Sequence, residues 1–75
     1  MEYQELKMIM RAKARLANGL VNLLKDDTNQ MCIDVDDFDM FSLSEAIREA
    51  KRTSQNLIDT ITELERDLRL VKREV

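Results

Sequence analysis

Apolar residues recur every three or four positions through the second half of the chain. The repeat continues for almost five heptads, which is typical of a long helix that packs against another helix. At about 1.5 Å per residue such a helix would be about 50 Å long, too long an apolar seam to leave in water. The predicted seam consists of Leu43, Ile47, Ala50, Ser54, Leu57, Ile61, Leu64, Leu68, Val71 and Val75.

A first amphipathic helix is predicted over about residues 2–25. Its apolar stripe is broad, which indicates a helix facing a core rather than a narrow coiled-coil seam. The stripe contains Leu6, Ile9, Met10, Ala12, Leu16, Ala17, Leu20, Leu23 and Leu24. Gly19 lies inside this helix and costs about 1 kcal/mol relative to alanine. We therefore expect the second helix to approach the backbone closely near Gly19.

The segment between the two patterns, residues 26–41, is predicted to be an ordered acidic connector. It is long for a helix–helix link, so we expect it to pack or bind. We expect Ile33, Val35, Phe38 and Phe41 to cover the end of the hairpin, with the aspartates pointing outwards. These aspartates form a candidate partner-binding loop: Asp26, Asp27, Asp34, Asp36, Asp37 and Asp39.

The second helix is predicted from about residue 43 to residue 74. Its start is indicated by a capping box, in which Ser42 and Glu45 bond reciprocally to the first backbone N–H groups. Because this helix would be longer than the first, its last turns would extend beyond the hairpin. The predicted oligomer seam is Leu57, Ile61, Leu64, Leu68, Val71 and Val75, and its pattern is that of a parallel dimer.

These elements predict an all-α fold in one domain, residues 1–75. The expected architecture is a two-helix antiparallel hairpin with a long coiled-coil second helix, completed as a helical bundle by dimerisation. The chain has 75 residues, no proline, one glycine and no histidine, and Cys32 is its only cysteine. A core this small gives only marginal stability without a disulfide or a metal site. No internal disulfide can form, so oligomerisation is the expected source of stability.

The net charge of −3 conceals an uneven distribution. Residues 26–45 contain seven acids and no base, whereas residues 1–25 contain five bases and two acids. Lys7, Arg11 and Arg15 lie on one helix face without stacking aromatic residues, so we interpret them as a solvated face. RNA binding by this basic row is the weakest hypothesis, and direct nucleic-acid binding is not expected.

No candidate motif for catalysis, cofactor binding or metal binding survives inspection. Asp34, Asp36 and Glu45 have the spacing of positions 1, 3 and 12 of a calcium loop. However, Phe38 stands where position 5 needs an oxygen ligand, and Asp39 stands where the turn needs glycine. Cys32 has no histidine to activate it and lies among acids, so it is interpreted as a half-buried structural thiol. The protein is therefore not expected to be an enzyme.

The chain is expected to lie in the cytoplasm, or in the host cytoplasm if it is viral. Its first residues lack the pattern of a signal peptide, no apolar run reaches the roughly 20 residues of a membrane span, and a lone thiol fits a reducing compartment.

Two functions remain as hypotheses. The first is a protein interaction module that self-associates through the second helix and docks on a larger protein. The alternative is an acidic decoy, of the kind encoded by phages and mobile elements, that occupies the basic groove of a nucleic-acid-binding protein.

Overall fold

Two antiparallel α-helices of nearly equal length form the molecule. The computed structural model describes residues 2–73 and the backbone of residue 74. Helix α1 spans Tyr3–Asp36 and helix α2 spans Met40–Glu74, and a turn of three residues joins them. The two helices pack along their lengths into a rod of 54 × 14 × 12 Å. The prediction of an all-α helical hairpin is therefore confirmed.

Helix α1 continues through most of the segment predicted to be a connector. Its last residue is Asp36, and residues 26–36 form its final three turns. Asp and Thr have modest helix propensities, but packing against a partner helix outweighs such small terms. Local bonds also help: Gln30 Nε2 donates to Asp34 Oδ1 at 2.9 Å, one helical turn away. The expectation of a long acidic connector was wrong because it weighed local composition above pairing with α2.

The side-chain directions in this segment are the reverse of those expected. Ile33 and Val35 are exposed, whereas Asp34 between them is buried. An extended strand would alternate its two faces, but a helix turns about 100° per residue and places only one of the three residues towards α2. Phe38 and Phe41 do not cover the end of the hairpin either, since both are largely exposed.

The turn at residues 37–39 combines the end of one helix with the start of the next. The Asp39 N–H donates to the Asp34 carbonyl at 2.9 Å, and the Phe38 N–H donates to the Val35 carbonyl at 3.1 Å, which is a Schellman motif. Asp39 then caps α2, because its Oδ1 accepts the Ser42 N–H at 3.1 Å. The predicted cap at Ser42 is therefore replaced by a cap three residues earlier.

Two cross-helix bonds establish the register of the hairpin. Lys13 Nζ lies 2.8 Å from Asp67 Oδ2, and Thr53 Oγ1 lies 3.4 Å from Asp27 Oδ2. The step between the two contacts is 14 residues on each helix, four helical turns, so one antiparallel register holds from end to end. No overhang of α2 results, and Leu64, Leu68 and Val71 lie beside Tyr3, Met10 and Ala14.

On each helix, the residues that face the other helix are separated by alternating steps of three and four. On α1 it consists of Leu6, Met10, Lys13, Ala17, Leu20, Leu24, Asp27, Met31 and Asp34, and on α2 of Leu43, Ala46, Ala50, Thr53, Leu57, Thr60, Leu64, Asp67 and Val71. Six of these eighteen residues are polar, and three apolar residues among the described ones are buried: Leu6, Ala46 and Ala50. The hairpin therefore has a thin apolar core.

Gly19 does not mediate a close approach of the helices. It is exposed, and an added Cβ there would meet no atom within 4 Å. The small residues Ala46 and Ala50 lie near the turn instead, level with the last turns of α1 rather than with Gly19.

Candidate protein interaction surfaces

One side of the rod presents an apolar groove between the helices, which we call the open face. Two lines of residues flank it, each with a step of seven, so that each line runs straight along its helix. The α1 line is Lys7, Ala14, Val21, Thr28 and Val35, and the α2 line is Met40, Ile47, Ser54, Ile61 and Leu68. Seven of these ten residues are apolar, and all seven are exposed: Ala14 and six larger side chains.

Two clefts deepen the open face near its ends. The first, of about 560 Å³, lies at the end opposite the turn and is lined by Tyr3, Lys7, Met10, Arg11, Ala14, Leu64, Leu68 and Val71. The second lies nearer the turn and is lined by Leu24, Thr28, Met31, Ile47, Ala50, Lys51, Ser54, Gln55 and Ile58. Both clefts are open grooves lined mainly by apolar atoms, the type of surface that a partner helix can fill.

The opposite side of the rod differs from the open face in the residues that α2 contributes. There Glu49 and Glu63 stand where the open face has Ile47 and Ile61, and Asn56 and Leu70 stand where it has Ser54 and Leu68. The α1 line on this side, which includes Leu16 and Leu23, is exposed and apolar. An apolar surface that spans both helices is therefore longer on the open face than on this side, where Ile9 and Leu70 are exposed at the end opposite the turn.

The predicted oligomer seam is divided between two roles. Leu57, Leu64 and Val71 are half-buried and face α1. Ile61 and Leu68 remain 53% and 45% exposed on the open face. Val75 lies outside the described residues. The heptad pattern therefore combined two seams, one that closes the hairpin and one that is left without a partner in a single copy.

The aspartates of the predicted acidic loop do not form one surface. Asp27 and Asp34 point towards α2, and Asp39 caps that helix. Asp26, Asp36 and Asp37 are exposed. The acidic surface is therefore smaller than the sequence suggested, and its largest exposed part is the pair Asp36 and Asp37 at the turn.

Two aromatic side chains project from the turn end of the rod. Phe38 is 80% exposed and Phe41 is 79% exposed. Phe38 has φ of 54°, the left-handed region that bulky residues rarely adopt and glycine adopts freely. Folding alone would favour glycine at this position, so a phenylalanine here suggests a contact outside the hairpin.

Two features of this site were missed by sequence reasoning. The second seam along α2 could have been found from the spacing of Ala46, Thr53, Thr60 and Asp67, but small and polar residues give no apolar signal. Cys32 is exposed rather than half-buried. In the part of the chain that the structure describes, no cluster of three or more potential metal ligands occurs.

Comparison with known protein families, with curated proteins and with solved structures finds no match for this chain. Neither α1 nor the described part of α2 is long and apolar enough to cross a membrane.

Proposed function

We propose that this chain is a non-enzymatic protein interaction module, a small helical-hairpin adaptor or regulator that associates with itself through the open face and docks on a larger protein. The observation that carries this proposal is the apolar open face, which runs the length of the rod and is uncovered in a single copy. The exposed thiol of Cys32 is compatible with a reducing compartment, so we place this role in the cytoplasm.

The surface area of the chain supports association. A single copy exposes 5991 Å², whereas a compact protein of 8.8 kDa exposes about 4800 Å². The excess of about 1200 Å² is larger than the area of about 800 Å² that each partner buries in a standard protein interface. Covering the open face with a second copy would remove part of this excess and would form a four-helix bundle.

Self-association is tested by light scattering after size-exclusion chromatography at tens of micromolar protein. We expect twice the monomer mass of 8.8 kDa. The double variant Ile61→Glu with Leu68→Glu places two charges on the open face and should shift the protein to monomer. The control is Leu16→Glu with Leu23→Glu, similarly exposed apolar residues on the other side of α1, which should remain dimeric.

A second measurement covers the case in which the charged variant unfolds. The melting temperature of a dimer rises with protein concentration, whereas that of a monomer does not. The milder variant Ile61→Ala with Leu68→Ala should form a weaker dimer. Its melting temperature should therefore begin to rise only at a higher protein concentration than that of the wild type. A wild-type protein that is folded, monomeric and insensitive to concentration would exclude self-association.

Docking on a larger protein is assigned to the turn end, where Phe38 and Phe41 are exposed. Their separation from the open face allows a dimer to present two such ends. A photo-crosslinking phenylalanine analogue introduced at Phe38 or Phe41 in cells should give one discrete crosslinked species of higher mass. The same analogue at Leu16 should not give that species, and equal crosslinking from all three positions would contradict docking at the turn.

The acidic decoy remains an alternative hypothesis with less support. Three of its six aspartates contact groups within the hairpin or are buried in it, which leaves Asp26, Asp36 and Asp37 to imitate phosphates. Replacing these three by asparagine should abolish salt-dependent binding to a basic groove if the decoy is correct.

A further inference from the structure

Basic side chains border the open face on both helices. Lys7 and Arg11 line the cleft opposite the turn, and Lys51 lines the cleft nearer the turn. Neither cleft has an acid among its described lining residues. Lys25 lies two heptads after Arg11, and Lys72 lies three heptads after Lys51, so each continues the same line along its helix. We call these five exposed residues the basic rim.

The basic rim is not neutralised within the hairpin. None of its members has an ion-pair partner within 4.0 Å among residues 2–73. On the helical lines that contain these bases, Glu65 is the one acid in the described part of the chain, and it pairs with Arg69 at 3.5 Å. The open face is therefore basic in a chain whose net charge is −3.

The basic rim coincides with the two clefts. The register of the hairpin places Lys72 level with Lys7 and Arg11, so bases from both helices border the first cleft. The same register places Lys51 within about one helical turn of the level of Lys25, and these two residues border the second cleft. Each cleft therefore has an apolar floor and positive charge on both of its edges.

We propose that the open face also receives an acidic amphipathic helix of a partner protein, which replaces the second copy. This inference rests on the open face as the interaction surface of the proposed function, and it adds the chemistry of a second occupant. The partner helix would place its apolar stripe on the floor of the groove and its acids beside the basic rim. The result is a three-helix bundle instead of the four-helix bundle of the dimer.

A helix matches the groove in shape and in length. The exposed apolar residues of the floor have heptad spacing, which is the spacing that accepts the apolar stripe of another helix. Met10 lines the first cleft and Leu24 lines the second, so the clefts lie about 20 Å or more apart along α1. A partner helix of about 20 residues would reach both clefts, with acids near each of its ends.

Charge favours this occupant over a second copy. Two open faces packed together bring one basic rim beside another in either orientation, and like charges across an interface are unfavourable. An acidic helix brings opposite charges to the same rim, which also accelerates its approach. Because salt screens both effects, added NaCl should strengthen the dimer and weaken the binding of an acidic helix.

The occupant is tested with three fluorescent helical peptides of about 24 residues. They share one apolar stripe and carry glutamate, glutamine or lysine at the positions beside it. At low salt we expect the glutamate peptide to bind at least about tenfold more tightly than the glutamine peptide, and to lose most of this advantage in about 0.5 M NaCl. The lysine peptide should bind most weakly. Equal affinities for the three peptides would overturn recognition of an acidic helix.

Paired substitutions locate the binding on the open face. Arg11→Gln with Lys51→Gln removes one base from each cleft and should raise the dissociation constant of the glutamate peptide at least about fivefold. The control Arg15→Gln with Arg66→Gln removes the same charge from exposed residues on other sides of the rod, and should leave that constant within about twofold. Equal effects of the two pairs would show attraction to net charge alone and would overturn the inference.

Replacement of the second copy is measured by light scattering during titration with the glutamate peptide. We expect the dimer to give way to a complex of one copy and one peptide. The variant Ile61→Ala with Leu68→Ala should bind the peptide more weakly, whereas Leu16→Ala with Leu23→Ala, on the opposite side, should bind it as the wild type does. A dimer that remains intact after the peptide has saturated it would overturn the inference.

Failure of this inference differs from failure of the proposed self-association. A wild-type protein that is monomeric and binds the glutamate peptide would overturn self-association alone and support the acidic occupant. A dimer that binds none of the peptides would overturn the acidic occupant alone. Binding to vesicles of anionic phospholipid without binding to the glutamate peptide would identify a lipid surface as the occupant and would also overturn this inference.

Discussion

Lys13 Nζ lies 2.8 Å from Asp67 Oδ2 across the interface of the two helices, with the side chains 25% and 12% exposed. The pair occupies interface positions that apolar residues would normally fill, so each charge depends on the other for its stability. The other three ion pairs of the described residues join positions three or four apart on α2 and are largely exposed. The Lys13–Asp67 pair is therefore the one that links the two helices.

The first prediction is that removing one partner of this pair costs more than removing both. Lys13→Met leaves the Asp67 carboxylate mostly buried without a cation and should lower the free energy of unfolding by about 2 kcal/mol. The double variant Lys13→Met with Asp67→Leu should recover most of that loss. Urea unfolding at one fixed protein concentration measures both values, and equal losses in the single and double variants would contradict the pairing.

The second prediction concerns the buried carboxylate of Asp34. Its residue is 3% exposed, its Oδ1 accepts from Gln30, and its Oδ2 has no hydrogen-bond partner. Because a buried polar atom without a partner costs free energy, Asp34→Leu should raise the free energy of unfolding by about 1–2 kcal/mol. Asp34→Asn retains an acceptor for Gln30 and should lie between wild type and leucine. Destabilisation by leucine would show that Asp34 has a partner.

The third prediction distinguishes the observed cap of α2 from the cap expected from the sequence. Asp39→Ala removes the acceptor of the Ser42 N–H and should lower the free energy of unfolding by about 1 kcal/mol. Asp39→Asn should retain most of the stability. Ser42→Ala should change it by less than about 0.5 kcal/mol, and a larger loss there than at Asp39 would favour the capping box.

The fourth prediction is that alanine stabilises the protein at Gly19. The position is inside α1 and an added Cβ has free space around it, so Gly19→Ala should raise the free energy of unfolding by about 0.5–1 kcal/mol. Had the second helix packed closely there, alanine would destabilise. The reciprocal control, Ala12→Gly at an exposed position of the same helix, should lower the free energy by a similar amount.

The fifth prediction follows from the left-handed backbone of Phe38. Glycine adopts this conformation without strain, so Phe38→Gly should raise the melting temperature by a few degrees, equivalent to about 1 kcal/mol. The control Asp37→Gly, at φ of −82°, should lower it. If Phe38 is a docking residue, Phe38→Gly should also abolish binding to the larger protein.

The amino-acid sequence by itself determined that the chain is helical and that its helices pair. The absence of proline, the single glycine and the three- and four-residue spacing of apolar residues leave little alternative, because such spacing forms a stripe only on a helix. A chain of this size with two such stripes buries them most simply as a hairpin, and the structure has that form.

Only the tertiary structure decided where α1 ends and which seam of α2 faces it. Residues 26–36 are weak helix formers locally, and their helix is stabilised by contacts with α2 that a local pattern does not contain. The same contacts placed Ala46, Thr53, Thr60 and Asp67 inside, where small side chains allow two helices to approach, and left Ile47, Ile61 and Leu68 outside. Close packing between helices selects for size and shape as much as for apolarity, so a second apolar line of α2 remains exposed in a single copy.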